Sequence, residues 1–441
     1  MRLLDVSNNE IAQLAVDTLA ENKQFVRAVT SYADDHEILA SEDIYAQNGM
    51  KLIPHGTRIS KKFYDRLVAH KLLKPIEQSL AISDALDARK LVELTHAEAH
   101  RVPSLAPMLE NRELLDKMQG LLGDIQLPAP LALKLSVIRV DQPDFFQHCL
   151  ITAMLSMVLA VRANLSRGEI RALALASIFH DLGETCIAPD ILAPQHKITE
   201  AEYRHLYTHP ITGYLMLHEF SEIPEETAIA VLQHHERLDG SGYPYRLPGE
   251  QISKISRFLA VAEFCSSLLQ RYGADKRIQL KLWLNRSRYD KHAMEILFKL
   301  FADTDCPLPK LPEEALFMSR LTRIGKIFED WKVIRESFSA ADVDAISYFI
   351  KRVNSLQMLL LEFGFDKARI DEILSLSSVG DPEISMETNI LIEELARGFK
   401  DLYGEVQRKV AIYGSTLEPS VRARVHEWLM SACSLADDKV Q

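Results

Sequence analysis

The stretch from His234 to Pro244, HHERLDGSGYP, limits what this chain can build more than any other. Adjacent histidines on a helix point about 100° apart, so both reach one site only if a metal pair or cluster lies between them. The Asp239-Gly240-Ser241-Gly242 that follows breaks the helix. Gly240 and Gly242 permit positive φ and Pro244 fixes the exit, which holds Tyr243 at the mouth of whatever His234 and His235 bind. A solvated histidine pair ahead of a loop is the plainer alternative, and the histidines upstream weigh against it.

The 441 residues are 47% hydrophobic and 26% charged, enough apolar material for two or three domains. Lysine and arginine total 51 against 62 acids, and the net charge of -11 argues against general binding to nucleic acid or anionic membrane. An anionic ligand must be attracted locally. Cys149, Cys186, Cys265, Cys306 and Cys433 form no CxxC pair and are odd in number, which suits a reducing compartment. The start, MRLLDVSNNE, carries Asp5 and no apolar core of a secretory signal. The greasiest run, Cys149 to Val161, falls short of the roughly 18 to 20 residues that span a bilayer. A cytoplasmic protein outside the membrane is expected.

Apolar spacing predicts one helix over 10–32, then a β-hairpin around Asn48-Gly49 within Ile38 to Ile59, with a second turn at Pro54-His55-Gly56. Residues 61–127 read as helical with joints at Pro75, Pro103 and Pro107. His96 and His100 lie one turn apart there and read as a surface pair rather than half a metal site. Pro128-Ala129-Pro130 marks a boundary, so the chain is expected to divide into 1–128, 129–303 and 304–441. The last part has helical spacing and no catalytic motif, which suggests an interaction or regulatory domain.

The middle part holds the chemistry. A helix from Pro143 to about 164 puts Asp144 and His148 on one face. Capping boxes at Ser166–Glu169 and Thr199–Glu202 open helices that carry His180-Asp181 and His209-Pro210. Pro224 opens the helix that delivers His234 and His235, and Glu263 sits on an otherwise apolar helix. Singly, each histidine has a dull explanation as a core or helix-end residue. Together they form the ligand set of a divalent transition metal, numerous enough for at least two ions. Paired ions suit phosphate ester hydrolysis, because they acidify a water between them and draw charge off the phosphoryl oxygens.

The ordered set His180-Asp181, His209-Pro210, His234-His235-Glu236-Arg237, Asp239-Gly240 and Gly242-Tyr243-Pro244 closely resembles the HD-GYP domain of bacterial cyclic-di-GMP phosphodiesterases. The resemblance covers about 130–303 and implies a mainly α fold: an HD-superfamily helical bundle, with a small β-hairpin-containing module before it and a helical region after it. Residues from Glu42 to Leu80 are similar to the module that precedes such domains in many proteobacterial members. The resemblance implies metal ligation by His148, His180, Asp181, His209, His234, His235 and Glu263, with Asp144 matching an acid that binds a third metal in some members. It thus implies two or three divalent ions, Fe or Mn, with His180 and Asp181 catalytic. The implied substrate is cyclic-di-GMP, opened to pGpG or on to GMP, with Gly240, Gly242, Tyr243 and Pro244 on its guanine or ribose side. The flanking helices are expected to regulate, to form a homodimer or to dock protein partners such as diguanylate cyclases.

Three departures stand out. The family's HDxGK reads His180-Asp181-Leu182-Gly183-Glu184, so a phosphate-facing lysine is a glutamate. At about 4 Å such a reversal costs on the order of 1 to 4 kcal/mol. The last metal carboxylate, usually Asp, is Glu263. The basic stretch after it runs Gln270 to Arg277 in a shifted register, which affects phosphate contacts by Arg271 and Lys276. Two other functions therefore compete: a catalytically weak domain that senses a nucleotide or acts as a scaffold, and a hydrolase of another phosphate ester.

Overall fold

Helix punctuation in the sequence sets the architecture of the computed structural model, which describes residues 10–20, 22–102, 105, 120, 123, 125–192, 196, 199–273, 275–302, 314–362, 382–413 and 419–436. The single helix expected over 10–32 is two, Glu10–Ala20 and Lys23–Asp35. Asn22 starts the second, its side chain accepting the Phe25 N–H at 3.0 Å, which is the usual N-cap device. The hairpin forms where expected. Strand β2 (Ile44–Tyr45) pairs antiparallel with β3 (Lys51–Ile53), and Gly49 has φ +82. A second antiparallel pair, β1 (Ile38–Ala40) with β4 (Leu80–Ile82), lies partly in the 61–127 stretch that reads as helical. The one long described helix of that stretch is Ala88–His100; Pro103 and Pro107, like Cys306 and the 307–312 linker, lie outside the described residues.

The chain divides into two compact units, 1–274 with 285–304 and 275–284 with 305–441. The boundary expected at 128 falls inside the first unit for a physical reason. Leu133 and Val137 of helix Ala129–Asp141 are buried in the core of the N-terminal module with Phe25, Val29, Ile53 and Ile76. On the same helix Lys134, only 1% exposed, places Nζ 2.7 Å from Glu77 and 3.9 Å from the Phe25 ring centroid. The module and the first helix after it thus share one interior.

In that unit Pro143–Arg162 packs on Arg167–Phe179 and Lys254–Tyr272, and Glu200–His218 packs on Glu225–Gln233. Pro143–Arg162 is long and apolar enough to cross a membrane by length and composition, but 78% of it is buried inside the fold. Glu10–Ala20 lies against the Glu200–His218 helix.

The second unit is helical: Arg277–Leu284, Glu314–Glu336, Ala340–Ala345, Ser347–Glu362, Pro382–Tyr413 and Pro419–Cys433. Its core centres on Trp331 and Trp428, whose rings lie 4.8 Å apart, with Trp428 donating to the Ile327 carbonyl at 2.8 Å. Leu284 joins that core, so the short helix 277–284 belongs to the second unit although the sequence places it inside the expected 129–303 domain.

Candidate metal centre

Three histidines of the centre owe their orientation to carbonyls that helix geometry leaves open. His180 and His234 follow the last residues of helices ending at Phe179 and Gln233, where terminal carbonyls lack intrahelical partners. His180 Nδ1 takes the Ser177 carbonyl at 2.9 Å, and His234 Nδ1 takes that of Val231 at 2.6 Å. His209 lies mid-helix, but Pro210 beside it has no N–H, so the Leu206 carbonyl is left for His209 Nδ1 at 2.7 Å. His148 Nδ1 meets the Ser266 hydroxyl at 3.1 Å. A ring whose Nδ1–H donates presents a bare Nε2 lone pair, the form that binds metal.

All four Nε2 atoms point at Asp181. Its Oδ1 is 3.3 Å from His209 and 3.2 Å from His234; its Oδ2 is 2.9 Å from His180 and 3.9 Å from His148. Asp181, His209, His234 and His235 offer ligand atoms all within 4.8 Å of one another, and so do His148, His180 and Asp181. The Nε2 of His209 and the Nε2 of His234 face each other at 3.3 Å, two lone pairs with no proton between them once each Nδ1–H is committed. Despite these approaches, His180 Nε2 and Asp181 Oδ1 make no hydrogen bond of good geometry. Buried orphans of this kind are costly unless a cation takes them up, so the residues fit a divalent metal.

Burial would lower His180 and His209, but Asp181 beside them outweighs it and raises both, so a cation taken up here competes with protons. Burial pushes His234 down to about 4, and burial followed by the His180 charge pushes His148 down to about 4, so both rings are neutral near pH 7. Burial would raise Asp181, but the His180, His209 and His234 rings outweigh it and hold the carboxyl well below its ordinary range.

The other expected residues are distributed around this cluster. Glu263 is raised by burial, lies 4.0 Å from the Arg237 guanidinium and accepts from Ser267 at 3.1 Å. Asp144, His148, Asp181 and Glu184 line an open cleft of about 490 Å³ with Phe145, Gln270 and others. Glu184, the residue at the lysine position, is half-buried on the wall of that cleft with Asp181, and burial and then the Asp181 charge push it up to about 7. Arg271 is exposed, its guanidinium 5.4 Å from the Tyr272 ring centroid, and Lys276 belongs to the second unit; neither lines the cleft.

Nor do Gly240, Gly242, Tyr243 and Pro244 line it. Tyr243 stacks on His235 with centroids 4.5 Å apart and meets Tyr207 edge-on at 4.2 Å, so the loop braces the ligand rings from behind. Gly240 has φ +74, and a Cβ at Gly242 would come 2.4 Å from the backbone of residues 235–237. Sequence reasoning missed several supports. Glu236 is buried and accepts the N–H of Tyr245 at 2.7 Å and of Leu247 at 2.9 Å, which fixes the loop. A Cβ at Gly183 would lie 2.1 Å from the His209 carbonyl oxygen, so the HDxG glycine permits the close approach of two ligand-bearing segments. Arg288 reaches the Ser241 hydroxyl at 3.2 Å, while its carbonyl accepts the Leu238 N–H at 2.9 Å. The alternation of Gly and acids in HHERLDGSGYP signals that such supports exist; their partners, distant in sequence, are not visible there.

Fold and site together define a helical metal-centre domain built around a histidine-aspartate doublet. Residues 108–291 match the family model described as an HD domain. It is 33% identical over 131 residues to a cyclic di-GMP phosphodiesterase of Pseudomonas aeruginosa, covering 29% of this chain and 32% of the relative. It is 37% identical over 113 residues to the cyclic di-GMP phosphodiesterase response regulator RpfG of Xanthomonas campestris, covering 25% and 30%. It is 31% identical over 182 residues to a 3'3'-cGAMP-specific phosphodiesterase of Vibrio cholerae, covering 41% and 39%. The chain thus spans less than half the length of these relatives.

Proposed function

We propose that this chain is a metal-dependent phosphodiesterase that opens a cyclic dinucleotide, cyclic di-GMP first among them, to the linear pGpG and on to GMP. The observation that carries the reading is the division of Asp181: one carboxylate oxygen faces His209 and His234, the other His180 and His148. A carboxylate shared in this way suits two ions, one held with His209, His234 and His235 and one with His148 and His180. Glu263 and Asp144 stand by as further carboxylates, and the mixed imidazole and carboxylate set suits Fe or Mn. Such ions, when bound, supply Lewis acidity at the phosphoryl oxygens and lower the pKa of a bound water.

The cleft beside the cluster supports metal dependence by its charge. Asp141, Asp144, Asp181 and Glu184 line it, and no lysine or arginine does among the described residues. An anionic diester entering it meets repulsion from the protein itself, so bound cations must supply the attraction. Asp181 orients what lies between the two histidine groups, and Phe145 offers an apolar face to a base. The supporting experiment digests cyclic di-GMP and 3'3'-cGAMP in parallel with the Mn- or Fe-loaded chain and separates the products by chromatography. Preferred release of pGpG or GMP from cyclic di-GMP is expected; turnover of neither dinucleotide would sink the reading.

Glu184 favours a second reading, a nucleotide-binding domain with slow turnover, because it sets an acid on the cleft where the family motif has a lysine. Glu184→Lys is expected to raise kcat/KM for the cyclic dinucleotide by roughly tenfold, the effect of relieving 1 to 2 kcal/mol of charge repulsion. An unchanged or lower value would mean that Glu184 is neutral to the reaction or required for it.

A further inference from the structure

The helix Ala88–His100 carries a pair of histidines that the buried centre does not use. His96 Nε2 and His100 Nε2 are 3.2 Å apart, with the rings edge to face and centroids 4.5 Å apart. With metal–nitrogen bonds of about 2.0–2.1 Å, nitrogens at that spacing subtend about 100° at a common ion, near the angle a tetrahedral zinc ligand pair requires. Their i, i+4 spacing puts both rings on one helix face. Glu93, three residues before His96, falls within about 60° of the same face. The Glu93 carboxylate sits 2.9 Å from Lys90 in a pair whose side chains are 50% and 56% exposed, a contact weak enough to yield to a stronger ligand. His100 is itself exposed, so an ion can enter from solvent.

We propose that His96 and His100 form a separate two-histidine surface site for a borderline divalent cation such as Zn2+, Ni2+ or Cu2+, which Glu93, paired with Lys90 in this structure, joins as a third donor only by a change of rotamer. Without an ion, one ring donates its Nε2–H to the other; the cation replaces that proton. The preference among divalent ions follows from imidazole chemistry, which favours the later first-row metals over Mg2+ or Ca2+. The site would also sit one hydrogen bond from the buried centre's surroundings. Glu98 on the same helix accepts from Gln147 at 2.9 Å, and Gln147 adjoins His148. An ion bridging His96 and His100 would therefore stiffen a helix docked on the one that carries His148.

The test is Ni2+ titration of the full chain against a chromophoric chelator, comparing wild type with His96→Ala, His100→Ala and the double variant. Alanine on an exposed helix face preserves the helix, which circular dichroism verifies. Each single variant is expected to bind one equivalent at least about tenfold more weakly, and the double variant to lose it. Glu93→Gln is expected to weaken the same equivalent a few-fold; no change would remove Glu93 from the site. Repeating the comparison in an Asp181→Ala background separates this site from the buried centre, because the difference between the histidine variants must persist there. Equal stoichiometry and affinity in wild type and the double variant would overturn the proposal.

Discussion

At His180, His209 and His234 the same i−3 hydrogen bond recurs for different reasons, two at helix ends and one where Pro210 withholds a donor. The histidine-aspartate doublet, the HP dipeptide and the double histidine are legible in sequence as members of one cluster because imidazole and carboxylate recur in order along successive helices. What fixes their tautomers is not legible, since the acceptors are backbone carbonyls common to every residue type. Ser266 illustrates the gap: nothing in its neighbourhood announces that its hydroxyl holds His148, a residue 118 positions away. Ser266→Ala is expected to lower metal affinity about tenfold while the fold is kept, read as metal content after dialysis against a graded chelator. Unchanged affinity would show that His148 is oriented without it. Tyr243 shows the opposite case, a residue whose importance is plain from the GYP triplet but whose place behind His235, away from the cleft, only the folded chain reveals.

Helix starts marked by a capping box are legible in the sequence, because that signal is local. Ser166 and Thr199 both form reciprocal capping boxes with Glu169 and Glu202, as the spacing predicts. The β1–β4 pair was missed because two three-residue strands separated by about 40 residues leave no periodicity to detect. The Glu169 box also titrates. Lys254, at 2.9 Å, and the Ser166 N–H hold the Glu169 carboxyl down to about 2 from 4.5. A depressed acid contributes stability that is full above its unfolded value and is lost as the pH falls through its folded one. Glu169→Ala is therefore expected to cost about 1 kcal/mol at neutral pH, the size of a helix cap, and the deficit should shrink between pH 4.5 and 2. Denaturant unfolding at a series of pH values reads it directly. A deficit independent of pH would assign the loss to helix propensity instead.

For the whole molecule, the two compact units follow shared cores rather than the Pro-rich joints. The module before the metal domain could not be separated in sequence, because Leu133 and Val137 look like ordinary core residues of their own helix. Helix 277–284 goes to the second unit through Lys281, fully buried, which pairs with Glu393 at 3.2 Å and Glu394 at 2.8 Å. Lys281→Met removes a buried cation from beside the buried Glu394 and is expected to destabilise the second unit by about 3 kcal/mol, measured as a shift of its own unfolding transition. A shift confined to the chelator-sensitive transition would instead place Lys281 with the metal domain. The central claim, that Asp181 joins two groups of histidines into one metal-dependent phosphodiesterase centre, is tested most directly by one paired measurement. Metal content and cyclic di-GMP turnover are determined together for the wild-type chain and Asp181→Ala after loading with Mn or Fe. The account predicts at least two bound ions and linear product for the wild type, and loss of both metal and product in the variant. Full metal loading of the wild type without any product, or undiminished turnover by Asp181→Ala, would contradict it.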